Sequence, residues 1–231
     1  MEDHSAESGE GAGVPPPPPG APDQALSPWL EIWVRPRAAM RRILDTDPRR
    51  GVLALMVAAA LVGAASLAAE PKIAVLLRVP SSFLLGVAFV ALPIWSIIGL
   101  YLFGFLIALT GRWLDGQGDA VAVRAALAWS RVPLIWGGLL AIPRLILVSA
   151  PGADAGDLTQ NPGAALLQGL LGMLQLILGV WAIVVMLKCL GEAHRFSAWR
   201  ALGALILSWM IFVVCMLLPA ITAFLVLRGM P

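Results

Sequence analysis

The sequence predicts an all-α membrane protein, a polytopic bundle of about five transmembrane helices with an N-terminal amphipathic interfacial helix. Hydrophobic residues make up 59% of the 231 residues and charged residues only 13%, whereas about a quarter of a soluble domain is charged. Apolar runs of about 20 residues recur, and that length crosses a ~30 Å hydrocarbon core. The cations are spread unevenly over the connecting segments, which is typical of a chain inserted in one orientation.

The N-terminal tail, residues 1–27, is predicted to be disordered and cytoplasmic. It contains Glu, Ser, Gly and the run Pro15–Pro19, with too few apolar residues to bury anything. The prolines favour local polyproline II structure, and a solvated linker is preferred over a ligand for an aromatic-grooved domain. No basic start followed by an apolar run is present, so the first span is expected to act as its own insertion signal.

Residues 28–47 form the predicted interfacial helix, which Pro36 is expected to divide into a short turn and a helix. Apolar residues recur on one helical face at Trp29, Trp33, Pro36, Met40 and Ile43. Charged residues fall opposite or on the flanks, at Glu31, Arg35, Arg37, Arg41, Arg42 and Asp45. Tryptophan facing arginine is typical of a helix in a bilayer interface, which we prefer over a soluble helix docked on a partner. The predicted membrane-surface residues are Trp29, Trp33, Arg35, Arg37, Arg41 and Arg42.

The third predicted region, residues 48–231, is a five-span transmembrane domain. Asp47-Pro48 and Asn161-Pro162 are helix-start signals, an N-cap residue followed by proline in the first turn. Glu70-Pro71 is expected to end the first span. The predicted spans cover residues 51–69, 83–109, 132–149, 164–187 and 201–227.

The charge distribution predicts the orientation of these spans. Twelve of the sixteen Lys and Arg residues fall on one side, in the N-terminal segment and in the second and fourth connections. Three fall on the other side, and Arg144 lies within the third span. The positive-inside rule therefore places the N-terminus in the cytoplasm and the C-terminus outside, in the periplasm or the extracellular space. Tryptophans at the predicted inner interface agree, at positions Trp29, Trp33, Trp113, Trp129 and Trp199.

The stretch from Gly111 to Ser149 carries most of the arginines near a span. Asp119 is predicted to cap a helix that begins at Ala120. Arg124 and Arg131 share a face of that helix, about 10 Å apart. We expect this lead-in helix to lie on the inner surface, bent at Pro133, while Arg144 reaches outward to the interface. The alternative is that Arg124, Arg131 and Arg144 line a polar cavity or bind an anionic lipid headgroup or a partner's acid.

No catalytic constellation is evident, so neither an enzyme nor a cofactor or metal is predicted. His194 is expected in an inner loop near headgroups, and His4 is in the tail. Cys189 and Cys215 are too few for a four-ligand thiolate site. Asp115 and the glycine after it are similar to part of a phosphatidyl-transferase motif, but the further acids that would hold its metal ions are missing.

Three motifs carry a resemblance to a known family. They are Ser-Pro-Trp-Leu-x-Ile-Trp-x-x-Pro-Arg from Ser27, Gly-x-Gly-Asp with Val-Arg-Ala-Ala-Leu-Ala-Trp-Ser-x-Val-Pro from Gly116, and Glu-Ala-His-Arg-Phe-Ser-Ala-Trp-Arg-Ala-Leu from Glu192. With five spans they resemble the bacterial branch of the Yip family (Ypt-interacting proteins). Eukaryotic members of that family interact with Rab-type GTPases, but this chain lacks their Asp-Leu-x-Gly-Pro type motif. The resemblance therefore implies neither Rab binding nor catalytic residues.

The predicted function is that of a non-enzymatic protein of the bacterial inner membrane. It would organise the membrane or recruit partners through a basic cytoplasmic face. The predicted partners are anionic lipid headgroups and an unidentified protein, with homo-oligomerisation left open, and nucleic acid is excluded. The alternative is a small transporter or lipid-translocating protein, with a polar path near Arg124, Arg131, Gln168 and Gln175.

Overall fold

The computed structural model describes residues 27–68, 78, 80–149 and 162–228. Throughout these residues the regular elements are helical. In chain order they are α1 (Pro28–Val34), α2 (Pro36–Thr46), α3 (Val52–Ala68), α4 (Ser81–Trp113), α5 (Ala120–Trp129), α6 (Val132–Gly137), a 3₁₀ turn (Gly138–Leu140), α7 (Ala141–Ser149), α8 (Pro162–His194) and α9 (Ala198–Arg228). The predicted tail lies outside the described residues apart from Ser27, and so does the predicted loop of residues 150–161. Of the predicted loop of residues 71–82, the structure describes Arg78 and residues 80–82.

The predicted all-α membrane bundle is confirmed. Four helical stretches are long and apolar enough to cross a membrane, namely Ser82–Trp113, Ala120–Arg144, Pro162–His194 and Ala198–Pro219. The first predicted span corresponds to α3, whose 17 residues rise only about 25 Å. By contrast, the 33 residues of α4 and of α8 each rise about 50 Å. Both helices therefore extend beyond a ~30 Å hydrocarbon core.

Helix α5 lies inside the bundle and packs against α3, α4 and α8. Val123 and residues 125–130 are all buried, because the many alanines of this helix let its neighbours approach closely. The expectation that this segment lies on the inner membrane surface is therefore wrong. Trp129, expected at the inner interface, is also buried.

The ends of α5 follow from local chemistry. The Asp119 carboxylate accepts a hydrogen bond from the Ala122 amide (2.7 Å), so the predicted N-cap is confirmed. The chain leaves the helix at Ser130 and Arg131, slightly before the bend expected at Pro133. Proline occupies the first turn of α6 instead, where its missing N–H removes no helical hydrogen bond.

Large apolar side chains cover the outside of α4, α8 and α9. Trp95 is 70% exposed, Phe105 60% and Leu176 67%. A water-soluble monomer rarely exposes so large a continuous apolar surface, whereas lipid chains solvate it well. Within the bundle, the Thr110 and Ser208 hydroxyls hydrogen-bond to each other (2.8 Å) and link α4 to α9.

Candidate functional site at the polar end of the bundle

Three segments that are far apart in sequence meet at one end of the bundle. They are α1–α2, the loop of residues 114–119, and the turn of residues 195–197 between α8 and α9; we call them together the polar end. Arg41 Nε donates to Glu192 Oε1 (2.8 Å), and Arg37 Nη2 donates to the Phe196 carbonyl (3.4 Å). The Gln117 amide donates to the His194 carbonyl (3.0 Å). These contacts bring together the three motifs that the sequence carries separately.

The apolar face of α2 is covered by protein. Pro36, Met40 and Ile43 are buried, and α2 packs mainly against α8. The Glu31 carboxylate in α1 is also buried and pairs with Arg42 (2.9 Å), although its sequence position suggested the polar face. That assignment carried one helical periodicity across Pro36, whereas the break at Arg35 changes the phase between α1 and α2.

The predicted membrane-surface residues therefore have different environments. Trp29 packs edge-on against Trp129, with ring centroids 6.0 Å apart, and Trp33 packs against the buried core. Arg37, Arg41 and Arg42 contact other parts of the chain, while Arg35 is exposed. The membrane-surface role of this set stays a prediction.

His194 is enclosed by glycines. It is the last residue of α8 and is 1% exposed, so its expected place in a loop near headgroups is wrong. A Cβ on Gly111 would overlap its ring, and one on Gly116 or Gly118 would lie 2.7 Å from its Nδ1. The ring also stacks on Phe196, with centroids 4.9 Å apart and planes within 7° of each other.

The glycines are the sequence signal for this packing. Only a position without a side chain lets the loop of residues 114–119 close over an imidazole ring. The tight path also places Asp115 and Arg195 at φ values of 61° and 59°, in the left-handed region that non-glycine residues seldom occupy. The sequence showed the glycines but not which ring they contact.

Unpaired arginines and exposed tryptophans surround the polar end. Six arginines at this end are exposed and form no ion pair with any residue that the structure describes: Arg35, Arg49, Arg50, Arg112, Arg195 and Arg200. Trp199 is 81% exposed and Trp113 60%. Such a combination of guanidinium and indole groups is typical of a surface at the level of lipid headgroups.

A wide cleft of about 1180 Å³ opens between α2, the loop of residues 114–119 and the α8–α9 turn. Its charged lining residues are Arg37, Arg41, Arg195, Asp45, Asp119 and Glu192. Across the described part of the chain, no cluster of three or more His, Cys, Asp and Glu residues is placed to hold a metal ion. The cleft therefore offers both signs of charge, which suits a polar partner segment.

The three arginines predicted to bind lipid or a partner do not form one path. The Arg124 guanidinium lies 4.8 Å from the centre of the Tyr101 ring. Arg131 lines a cavity within the bundle. Arg144 Nη1 donates to Gln175 Oε1 (2.7 Å), a pairing that sequence reasoning missed although it had placed both residues inside spans.

The fold and its polar end together define a polytopic α-helical membrane protein. Comparison with protein families matches the Yip1 domain over residues 30–218. The chain belongs to the Yip1 domain family, as its motifs indicated, and the match covers the segments of the polar end from residue 30 onward. Comparisons with curated proteins and with solved structures each returned no match.

Proposed function

We propose that this chain is a non-enzymatic membrane protein whose polar end binds anionic lipid headgroups and presents its cleft to a protein partner. The observation that carries the proposal is the set of exposed arginines and tryptophans on the same end of the bundle. Each cation held near an anionic leaflet contributes about 1 kcal/mol of attraction. Six such groups can act together because they lie at the same end of the bundle.

The proposal places the protein in the inner membrane of a bacterial cell, with its polar end on the cytoplasmic side. The support is the charge asymmetry: apart from Arg124, Arg131 and Arg144 within the bundle, ten cations fall in segments of the polar end and three in the others. Alkaline phosphatase fused after Pro231 should then be active, whereas alkaline phosphatase fused near Gly116 should be inactive. The reverse pattern would contradict this orientation without affecting lipid binding by the polar end.

Native mass spectrometry of the full-length protein tests the lipid-binding proposal. The protein is purified in mild detergent with a mixture of phosphatidylglycerol and phosphatidylcholine. We expect the wild type to retain phosphatidylglycerol preferentially. Exchange of Arg49, Arg50, Arg112, Arg195 and Arg200 for Gln should remove most of that preference, because none of these side chains forms an ion pair within the described chain.

The matched control is Arg78→Gln with Arg228→Gln, which removes described cations from the opposite end. It should leave the preference for phosphatidylglycerol unchanged. If both variants lost the preference for phosphatidylglycerol equally, or if the wild type showed no such preference, the polar end would have no special role in binding lipid.

A further inference from the structure

A second cavity lies within the bundle, away from the polar end. It lies between α3, α4, α5, α6, α8 and α9. Its volume of about 320 Å³ is at the lower end of the range for ligand-binding pockets. Its lining is apolar except for Ser130 and Arg131. The apolar part includes Phe103, Ile107, Leu134, Met186, Leu205 and Trp209.

The cavity lies deep in the apolar part of the bundle. Arg131 is eleven residues beyond the start of α5, or about 17 Å along a helix. Ile107 and Met186 lie six and eight residues before the ends of their helices, or about 9 and 12 Å from the polar end along neighbouring helices. Trp209 and Ile183 are half exposed on the outside, so the cavity reaches the lipid-facing surface.

Arg131 is a cation without a counter-charge in this cavity. Its Nε is fully enclosed and has no hydrogen-bond partner among the described residues. Neither Asp nor Glu is among the residues that line the cavity. The other polar group of the lining is already satisfied, since the Ser130 hydroxyl donates to the Leu127 carbonyl (2.8 Å). A cation in apolar surroundings is costly unless an anion or a polar group compensates it.

We propose that this cavity binds a single-chain amphiphilic anion. A carboxylate or phosphate head pairs with the Arg131 guanidinium, and the acyl chain lies against Phe103, Leu205 and Trp209. An apolar wall with one guanidinium matches that chemistry, because a neutral lipid would leave the cation unpaired and free phosphate would leave the wall empty. The proposal is independent of lipid binding at the polar end, which uses other residues.

Photolabelling of the full-length protein in phosphatidylcholine nanodiscs tests this site. The probe is palmitic acid with a diazirine in its chain, and mass spectrometry maps the labelled peptides. We expect saturable labelling of the peptides that carry Phe103, Leu134 and Met186. Unlabelled palmitic acid and lysophosphatidic acid should both compete, whereas hexadecanol and inorganic phosphate should not.

Arg131→Gln should weaken the apparent affinity for palmitic acid about tenfold or more, because a charge-assisted hydrogen bond is lost. Arg131→Lys should retain most of it. The matched control is Arg124→Gln, seven residues earlier on α5 and directed at Tyr101, and it should bind like the wild type. Gly179→Phe, which places a large side chain in the cavity and leaves Arg131 in place, should abolish labelling.

Several outcomes would overturn the site. Competition by hexadecanol as strong as by palmitic acid would show an apolar pocket without charge selection. Unchanged affinity in Arg131→Gln, or unchanged labelling in Gly179→Phe, would show that the ligand lies elsewhere. If Arg131→Gln does not fold, the Arg131→Lys, Gly179→Phe and competitor results decide.

Discussion

Gly111→Ala is expected to destabilise the protein by about 2 kcal/mol or more. The added methyl group would overlap the His194 ring, and the ring cannot move aside because Gly116, Gly118 and Phe196 enclose it. Overpacking a filled core typically costs about 1–3 kcal/mol and occasionally more. Alanine gains only about 1 kcal/mol over glycine in a helix, so the steric cost prevails. Unfolding of the detergent-solubilised protein in increasing dodecyl sulfate measures the difference.

Gly172→Ala is the control for this prediction. Gly172 lies within α8, and a Cβ there would meet nothing within 4 Å, so the change should be neutral or slightly stabilising. Adding His194→Ala to Gly111→Ala should recover part of the lost stability, because the smaller side chain vacates the space. Equal stability of the two glycine variants, or no recovery in the double variant, would contradict the packing around His194.

Met40→Asp is expected to release α1 and α2 from the bundle. The Met40 side chain is fully buried against the bundle, and an unpaired carboxylate there would cost several kcal/mol. Docking of two short helices is a local equilibrium, so they should detach while the spans stay folded. Hydrogen exchange followed by mass spectrometry should show faster exchange over residues 28–46, and also at the α8–α9 turn on which they rest.

Ala38→Asp is the matched control, because Ala38 is exposed on the same helix. It introduces the same charge and should leave both exchange patterns close to those of the wild type. If the apolar face of α2 rested on lipid, Met40→Asp would leave exchange at the α8–α9 turn unchanged. That result would favour the interfacial arrangement over intramolecular docking.

The sequence predicted those features that depend on one segment and its solvent. Apolar runs of sufficient length identified the spans, because a helix that crosses the bilayer needs such a run whatever its neighbours are. The Asp119 cap also followed from local chemistry, because its partner is only three residues away. Even the break at Pro36 was predicted, since proline disfavours helical structure in the preceding residue.

Features that depend on tertiary packing did not follow from the sequence. Nothing local to α5 shows that three helices surround it, so its arginines were assigned to the surface. The glycines at 111, 116 and 118 indicated close packing without naming His194 as the neighbour. The pairs Arg41–Glu192 and Arg144–Gln175 join residues 151 and 31 positions apart, and periodicity carries no information about such separations.

Chemical cross-linking of introduced cysteines in native membranes tests most directly whether α2 and the α8–α9 turn form one polar end. Arg41→Cys and Glu192→Cys are introduced where the two side chains pair (2.6 Å), after Cys189→Ala and Cys215→Ser remove the native thiols. A bifunctional thiol reagent with a short spacer should cross-link this pair efficiently, because the spacer replaces the reach of the two long side chains. The control pair Thr46→Cys and Glu192→Cys should not cross-link, because Thr46 lines a groove beside Trp29 and Ala54 instead. Equal cross-linking of both pairs, or none in the first, would contradict the assembled polar end.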